Sequence, residues 1–265
     1  MPIVTISRGS YSHGKEVAER VAQRLGYQCI AREVLLEASQ QFNVPEVQLI
    51  DAIEVAPSAF DPLTYRKKRF VAYIQAALLR KIQSDNVVYH GFAGHFFLRT
   101  VPNVVKVRIL ADLEERIRIV MERDGLNWGE AARTIEKLDE QRTRWSLALY
   151  NMDPADPGLY DLIFNIRQLS LEGAVELICR AVMLPEFKTT PEALQRIQDL
   201  LLEAEVRIAL GEIGLDFLVH AERGKVRVDT RCPRGKQDVV RNEVQSALSG
   251  IPGIQELRVE VLPSP

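Results

Sequence analysis

The chain has 265 residues with 34 Lys and Arg against 36 Asp and Glu, a formal net charge of −2. No global field therefore favours nucleic acid or an anionic membrane, and the length suits one full-sized domain plus a small one. Three cysteines, Cys29, Cys179 and Cys232, lie far apart with no CxxC pair, which argues against a disulfide framework or a zinc site and for a reduced, cytoplasmic setting. The chain opens on a core strand rather than a signal peptide, and no apolar run approaches membrane-spanning length, so a soluble intracellular protein is expected.

In chain order, Ile3, Val4 and Ile6 form a short apolar strand that runs into Gly9-Ser10-Tyr11-Ser12-His13-Gly14-Lys15-Glu16, and a helix-period run follows at once. This is the strand, glycine-bounded loop and helix order of a phosphate-binding loop. Successive backbone N–H groups curl round an anion, a glycine permits close approach, and the next helix points its positive end at the phosphate. Lys15 would reach the outer phosphates as a point charge. The motif expects Ser or Thr after the lysine, whose hydroxyl holds magnesium; Glu16 stands there instead and is a candidate metal-facing residue.

The helix carrying Val17, Val21 and Leu25 stops at Gly26, a helix terminator. Tyr27 to Ile30 reads as a strand, Arg32 to Phe42 as a helix, and the stretch through Pro57, Asp61 and Pro62 as a loop or broken helix. Val71, Ile74, Leu78 and Ile82 make an amphipathic helix behind the basic cluster Arg66, Lys67, Lys68 and Arg69, which is either a solvated helix start or a clamp for an acceptor phosphate. Apolar strands at 86–90 and 104–110 bracket a segment holding His90 and His95. These two are five apart, without a cysteine or carboxylate at ligand spacing, so a metal site is not expected there. Helices follow at 113–123 and 129–150, then a strand at 162–166 and a helix at 171–182. Strands alternating with helices imply a parallel sheet covered on both faces.

The pattern changes near Phe187. A helix to Leu210, two alternating strands around Phe217 and Val228, a helix holding Val240 and Val244, and a last strand through Val259 form a helix–strand–strand–helix–strand unit, a small α+β domain. Seven basic residues between Arg223 and Arg241 enrich its hairpin region. A KH-type RNA module would need a GxxG clamp that Gly235-Lys236-Gln237-Asp238 does not supply, so no nucleic-acid partner is expected.

In the 129–150 helix, the apolar stripe Ala131, Ile135, Leu138, Trp145 and Leu149 also carries Arg142. An inward guanidinium needs an anionic partner, and two are open: Asp139 one turn earlier, or a nucleotide phosphate. Arg116, Arg118 and Arg123 on the preceding helix are either solvated or clustered with Arg142.

Together these residues resemble the cytidylate kinase-like family of P-loop nucleoside monophosphate kinases over roughly residues 1 to 183. The carriers are Ile6-Ser7-Arg8 before the loop, Gly14-Lys15-Glu16-Val17, Leu25-Gly26, Arg32-Glu33-Val34-Leu35, NVVYHG before Gly94-His95-Phe96-Phe97-Leu98, VRILADLEERIR, Lys137-x-Asp139-x-x-Arg142 and YDLIFN. The family's YGSGGRE loop becomes SYSHGKE, with Tyr11 and His13 in place of two glycines. Gly91-Phe92 replaces a glycine-arginine pair, and no acidic residue ends the third strand. The resemblance implies an α/β, P-loop NMP-kinase-like three-layer fold with a parallel sheet, and transfer of the γ-phosphoryl of ATP to CMP or dCMP with Mg2+. Gly9 to Glu16 would hold the donor phosphates and Arg142 would lie at a lid, with Arg116 and Arg123 as lesser lid residues beside Asp139. A nucleotide-binding sensor of weak catalysis, signalling through its C-terminal domain, is the rival. The tail resembles a BON domain with an unknown partner, which gives expected domains of 1–185 and 189–263.

Overall fold

The run IVTISR buries its first four residues whichever way they alternate, as a strand covered on both faces must. A computed structural model describes residues 2–54, 64–84, 86–91 and 93–264. In it, this run is β1 (Ile3–Arg8), the middle of a five-stranded sheet with β2 (Gln28–Ile30), β3 (Val87–Tyr89), β4 (Val104–Ala111) and β5 (Leu162–Ile166) in the order β2-β3-β1-β4-β5. Every pairing is parallel; Thr5 lies opposite Tyr89 on one side and Lys106 on the other. The chain passes from β3 across β1 to β4, so the carboxyl ends of β1 and β3 border the crevice where an open α/β sheet takes its ligand.

The helices, in chain order, are α1 (Gly14–Leu25), α2 (Glu33–Phe42), α3 (Glu46–Glu54), α4 (Thr64–Lys81), the single turn α5 (Gly94–Phe97), α6 (Leu113–Asp124), α7 (Trp128–Tyr150), α8 (Leu171–Val182), α9 (Pro191–Leu210) and α10 (Gln237–Leu248). Val17, Ala18, Val21 and Ala22 of α1 join Val175 and Ile178 of α8 against Val4, Ile6, Val107 and Ile109 of the sheet. Gly26 ends α1 at φ 69, the left-handed terminator its position foretold. Asn127 and Glu130 close a reciprocal capping box at the start of α7, and α7 packs on α6 through Ile117, Val120, Ala131 and Ile135. The expected loop through Pro57, Asp61 and Pro62 lies outside the described residues, as does Phe92.

Beyond α8, the expected helix–strand–strand–helix–strand order is found. β6 (Phe217–Glu222) pairs antiparallel with β7 (Lys225–Cys232), and β8 (Glu256–Pro263) pairs parallel with β7. Alternation sends Val219, Ala221, Val226, Val228 and Val261 to one face, where they meet Val206 and Leu210 of α9 and Val240, Val244 and Leu248 of α10.

The division into compact units is drawn differently from the expected boundary near 185–189. One unit comprises Met1–Glu33, Ile53–Ala56 and Ser84–Thr190; the other joins Val34–Ala52 and Pro57–Gln83 to Pro191–Pro265. The cause is α4, which packs along α9. Its stripe of Val71, Ile74, Leu78 and Ile82 is buried as expected, but Phe70, Ala72, Tyr73, Ala76, Ala77 and Leu79 are buried too. A helix apolar almost all round is covered on more than one side, and polar contacts bind the pair. Arg80 reaches Glu205 at 2.6 Å, Arg69 reaches Glu212 at 2.9 Å, and Lys68 pairs with Asp216.

Candidate active site

The loop after β1 keeps the shape of an anion cradle with unusual residues. Tyr11 and His13 both take φ 60, a left-handed backbone that costs a non-glycine residue about 1–2 kcal/mol. Both side chains are held by α6. Arg123 donates to the Tyr11 hydroxyl at 2.8 Å and lies 4.7 Å from the centre of its ring. His13 Nε2 lies 2.9 Å from Glu115 Oε1. These contacts hold the turn at two positions whose backbone favours glycine. Gly14 is required for packing instead, since a Cβ there would come within 2.6 Å of Arg8 Cβ.

The loop is anchored from below. Ser12 Oγ, buried, lies 2.9 Å from both Gly9 O and Ile109 O, and Gly9 N–H donates to Ile109 O at 3.2 Å. The first amide of α1 with a partner is Val17 N–H, on His13 O at 3.0 Å; the N–H groups of Tyr11 through Glu16 donate to no described residue. Six successive donors unpaired among the described residues at a helix N-terminus, with no side-chain cap, have the chemistry of an anion nest.

Arginines surround this loop in two chemical states. Arg116 is neutralised: its Nη2 lies 2.6 Å from Asp139 Oδ2, while its Nε donates to Ser10 O at 2.6 Å. Asp139 Oδ1 in turn accepts Ser10 N–H at 3.4 Å, so the pair grips one peptide of the loop. Of the two partners open to Arg142 in the sequence, Asp139 is thus engaged by Arg116. Arg142 donates instead to the Arg8 carbonyl at 3.1 Å, and neither Arg142 nor Arg8 has a carboxylate within ion-pair distance among the described residues. Burial first, and then the positive charge of Arg8, holds the Arg142 guanidinium below the usual arginine pKa; burial does the same to Arg8. Yet Arg8 is exposed and Arg142 half-exposed. Two cations beside the loop amides, neither in a direct ion pair among the described residues, are suited to an anion.

The remaining candidates lie at the margin. Lys15 is exposed, its Nζ 3.7 Å from Glu19. Arg123 is also exposed and pairs with Asp124 at 2.7 Å, so it braces the loop rather than reaching over it. Glu16 lies 2.7 Å from Arg20 and 3.7 Å from His13 Nδ1. Among the described residues no group of three His, Cys, Asp or Glu is placed to hold a metal. Magnesium needs no such cage, since it commonly takes one or two carboxylates plus phosphate oxygens and water, and Glu16 is one of the carboxylates at the loop, with Glu115 and Asp139.

Sequence reasoning did not assign roles to Arg8, Glu115 or the group at the ends of β4 and β5. Arg108 donates to the Tyr160 hydroxyl at 2.8 Å, and that hydroxyl donates to Pro154 O at 2.9 Å. His95, buried against Tyr160 and Phe96, has its pKa pushed down to about 3 by burial first and Arg108 second. At the end of β3, buried Tyr89 fills the space beside Gly91 and Gly94. Arg8 carried a signal, as the last residue of a strand that runs into a glycine loop; Glu115 carried none.

A sequence model of the cytidylate kinase-like family matches residues 3–168. A cytidylate kinase of Ignicoccus hospitalis is 26% identical over 183 residues, covering 69% of this chain and 100% of that protein. One of Archaeoglobus fulgidus is 26% identical over 186 residues, covering 70% and 97%. The crystal structure of an uncharacterized protein from Eubacterium ventriosum, at 20% identity, superposes with a TM-score of 0.52 over 69% of this chain and 98% of that one; this is a likeness of fold. The family match runs from the first strand past the last strand of the parallel sheet, and the chain therefore belongs to the cytidylate kinase-like family.

Proposed function

We propose that the protein is a cytoplasmic nucleoside monophosphate kinase that transfers the γ-phosphoryl group of ATP to CMP or dCMP. The observation that carries this reading is the pairing of six loop amides with two arginines, Arg8 and Arg142, neither of which meets a carboxylate among the described residues. The donor triphosphate lies on the amides of Tyr11 to Glu16, and Lys15 leaves Glu19 to meet its outer oxygens. In the transfer, the bond from the γ-phosphorus to the bridging oxygen breaks and a bond to an acceptor phosphate oxygen forms. The acceptor is already anionic, so no side-chain base is required. Arg142 and Arg8 stabilise charge on the moving group by fixed electrostatics. Arg116 and Asp139 position the loop through Ser10. Glu16 would be a residue to hold Mg2+, which when bound would supply neutralisation of the phosphate charge.

A second reading rests on Tyr11 and His13: a loop braced at both positions by α6 also suits a protein that binds nucleotide and reports it. In that reading the segment 189–263, BON-like in its element order, passes the signal to a partner. Purified protein with ATP and Mg2+ is to be offered CMP, dCMP, UMP, AMP and GMP, with diphosphate products and ATP affinity both measured. CDP or dCDP formation is expected. ATP binding without any product would favour the sensor, and absence of ATP binding would end both readings.

A further inference from the structure

The small C-terminal sheet has two edges, and the chain treats them differently. Along β6, α9 supplies acceptors: buried Glu203 takes the Ala221 N–H at 3.2 Å, and buried Asp199 takes the Arg223 N–H at 2.8 Å. Arg207 at 3.0 Å and Arg196 at 3.4 Å hold the Glu203 carboxylate in place. That edge is closed.

β8 forms the other edge. It pairs with β7 in unbroken register over eight residues, and among the described residues no strand or backbone hydrogen bond meets its outer side. It has no lysine and no bulge, two devices that ordinarily keep a second strand away. Leu257 and Val259 pack against the apolar core but remain only half-buried. On the opposite face, the register places Arg258 opposite Arg227 and Glu260 opposite Asp229, like charges where opposite ones stabilise. Arg227 relieves part of this by reaching Asp229 at 2.9 Å and Glu260 at 3.1 Å. Arg258 is exposed, and no carboxylate lies within ion-pair distance of it among the described residues.

We propose that β8 pairs antiparallel with β8 of a second copy of this chain, on a two-fold axis at Val259, so that two three-stranded sheets become one continuous sheet. In this register Arg258 faces the second copy's Glu260, and Glu260 faces its Arg258. On the core side Leu257 faces Val261, and Val259 faces itself. Each pair keeps both side chains on one face, as cross-strand neighbours must be. The interaction supplies the counter-charge Arg258 lacks and covers the half-exposed apolar residues. An extended peptide could add to the same edge through main-chain bonds alone, but it would leave the charge pattern without a use.

Sedimentation equilibrium of the full chain across the micromolar range is expected to show a dimer. Arg258→Glu alone and Glu260→Arg alone should each weaken it by roughly tenfold or more, because like charges then meet twice across the axis. An equimolar mixture of the two variants should dimerise again, since each copy then faces opposite charges. Circular dichroism of each variant establishes that it is folded. A chain that is monomeric throughout, a dimer indifferent to both substitutions, or a mixture that fails to restore dimerisation overturns the proposal.

Discussion

Two arginine-rich regions of this protein look alike in sequence and differ in charge balance. At the α4–α9 junction, Lys68, Arg69 and Arg80 each meet a carboxylate, from Asp216, Glu212 and Glu205, and Arg66 reaches Gln48 at 2.6 Å. At the end of β1, among the described residues, Arg8 and Arg142 meet none, and the loop amides beside them are unpaired. Both arrangements crowd cations together, but only the first neutralises them internally. A cation satisfied by the fold serves the fold, whereas one left without an ion pair beside unpaired amides is suited to a ligand. By this criterion Lys68, Arg69 and Arg80 are structural cations.

The comparison breaks most visibly if the junction is removed. A chain ending near Leu184 strips α9 from the buried face of α4, and it is expected to aggregate or lose its cooperative melt in circular dichroism and size-exclusion runs. A truncated chain that is monomeric, sharply melting and unchanged in ATP affinity would show that 1–185 folds independently, as the sequence led one to expect.

At the loop, Arg142→Lys should lower kcat by about 100-fold, the scale of losing one donor aimed at developing charge, while the melting temperature without nucleotide stays near wild type. A variant of normal turnover but reduced stability would mean that Arg142 serves packing. Lys15→Ala should weaken ATP binding by roughly tenfold, within the range of one charged hydrogen bond, with the far-ultraviolet spectrum unchanged. Equal ATP affinity in titration calorimetry would remove Lys15 from the phosphate site.

Smaller effects sharpen the contrast. His95 is held neutral with a pKa pushed down to about 3, below the roughly 6.5 of an unfolded histidine. The unfolded chain therefore binds more protons as the pH falls through 6.5, and this contribution to stability is present above that value and lost towards 3. Urea melts at pH 7 and 5.5 should differ by about 1 kcal/mol through this group, and the difference should shrink in His95→Gln. An undiminished difference would assign it to other groups, with His90, whose pKa burial also lowers, next to test. Smallest of all, Arg80→Ala should cost about 0.5–1 kcal/mol, the range of a partly exposed ion pair. Turnover per folded molecule should not move; if it fell as far as in Arg142→Lys, the division between structural and ligand-seeking arginines would fail.

Much of the architecture was legible beforehand. The spacing of Val17 and Val21, the stop at Gly26, the alternation at Val226 and Val228 and the place of the loop between β1 and α1 all report local geometry, and periods of 3.6 and 2 residues are written into any sequence that folds this way. The anchoring of the site was not legible. Asp139 is three residues from Arg142, yet it pairs with Arg116 on another helix. Tyr11 and His13 keep left-handed backbone because Arg123 and Glu115 reach them from α6, more than a hundred residues away along the chain.

By itself the sequence indicated the order of most strands and helices, the faces they bury, and a glycine-bounded loop after the first strand, but not the helices Glu46–Glu54 and Gly94–Phe97. Tertiary structure decided which carboxylate each arginine meets, which of them are left uncompensated, and that α4 finds its cover on α9. Backbone periodicity is a property of neighbouring residues, whereas charge compensation depends on which distant side chains packing brings within a few ångströms.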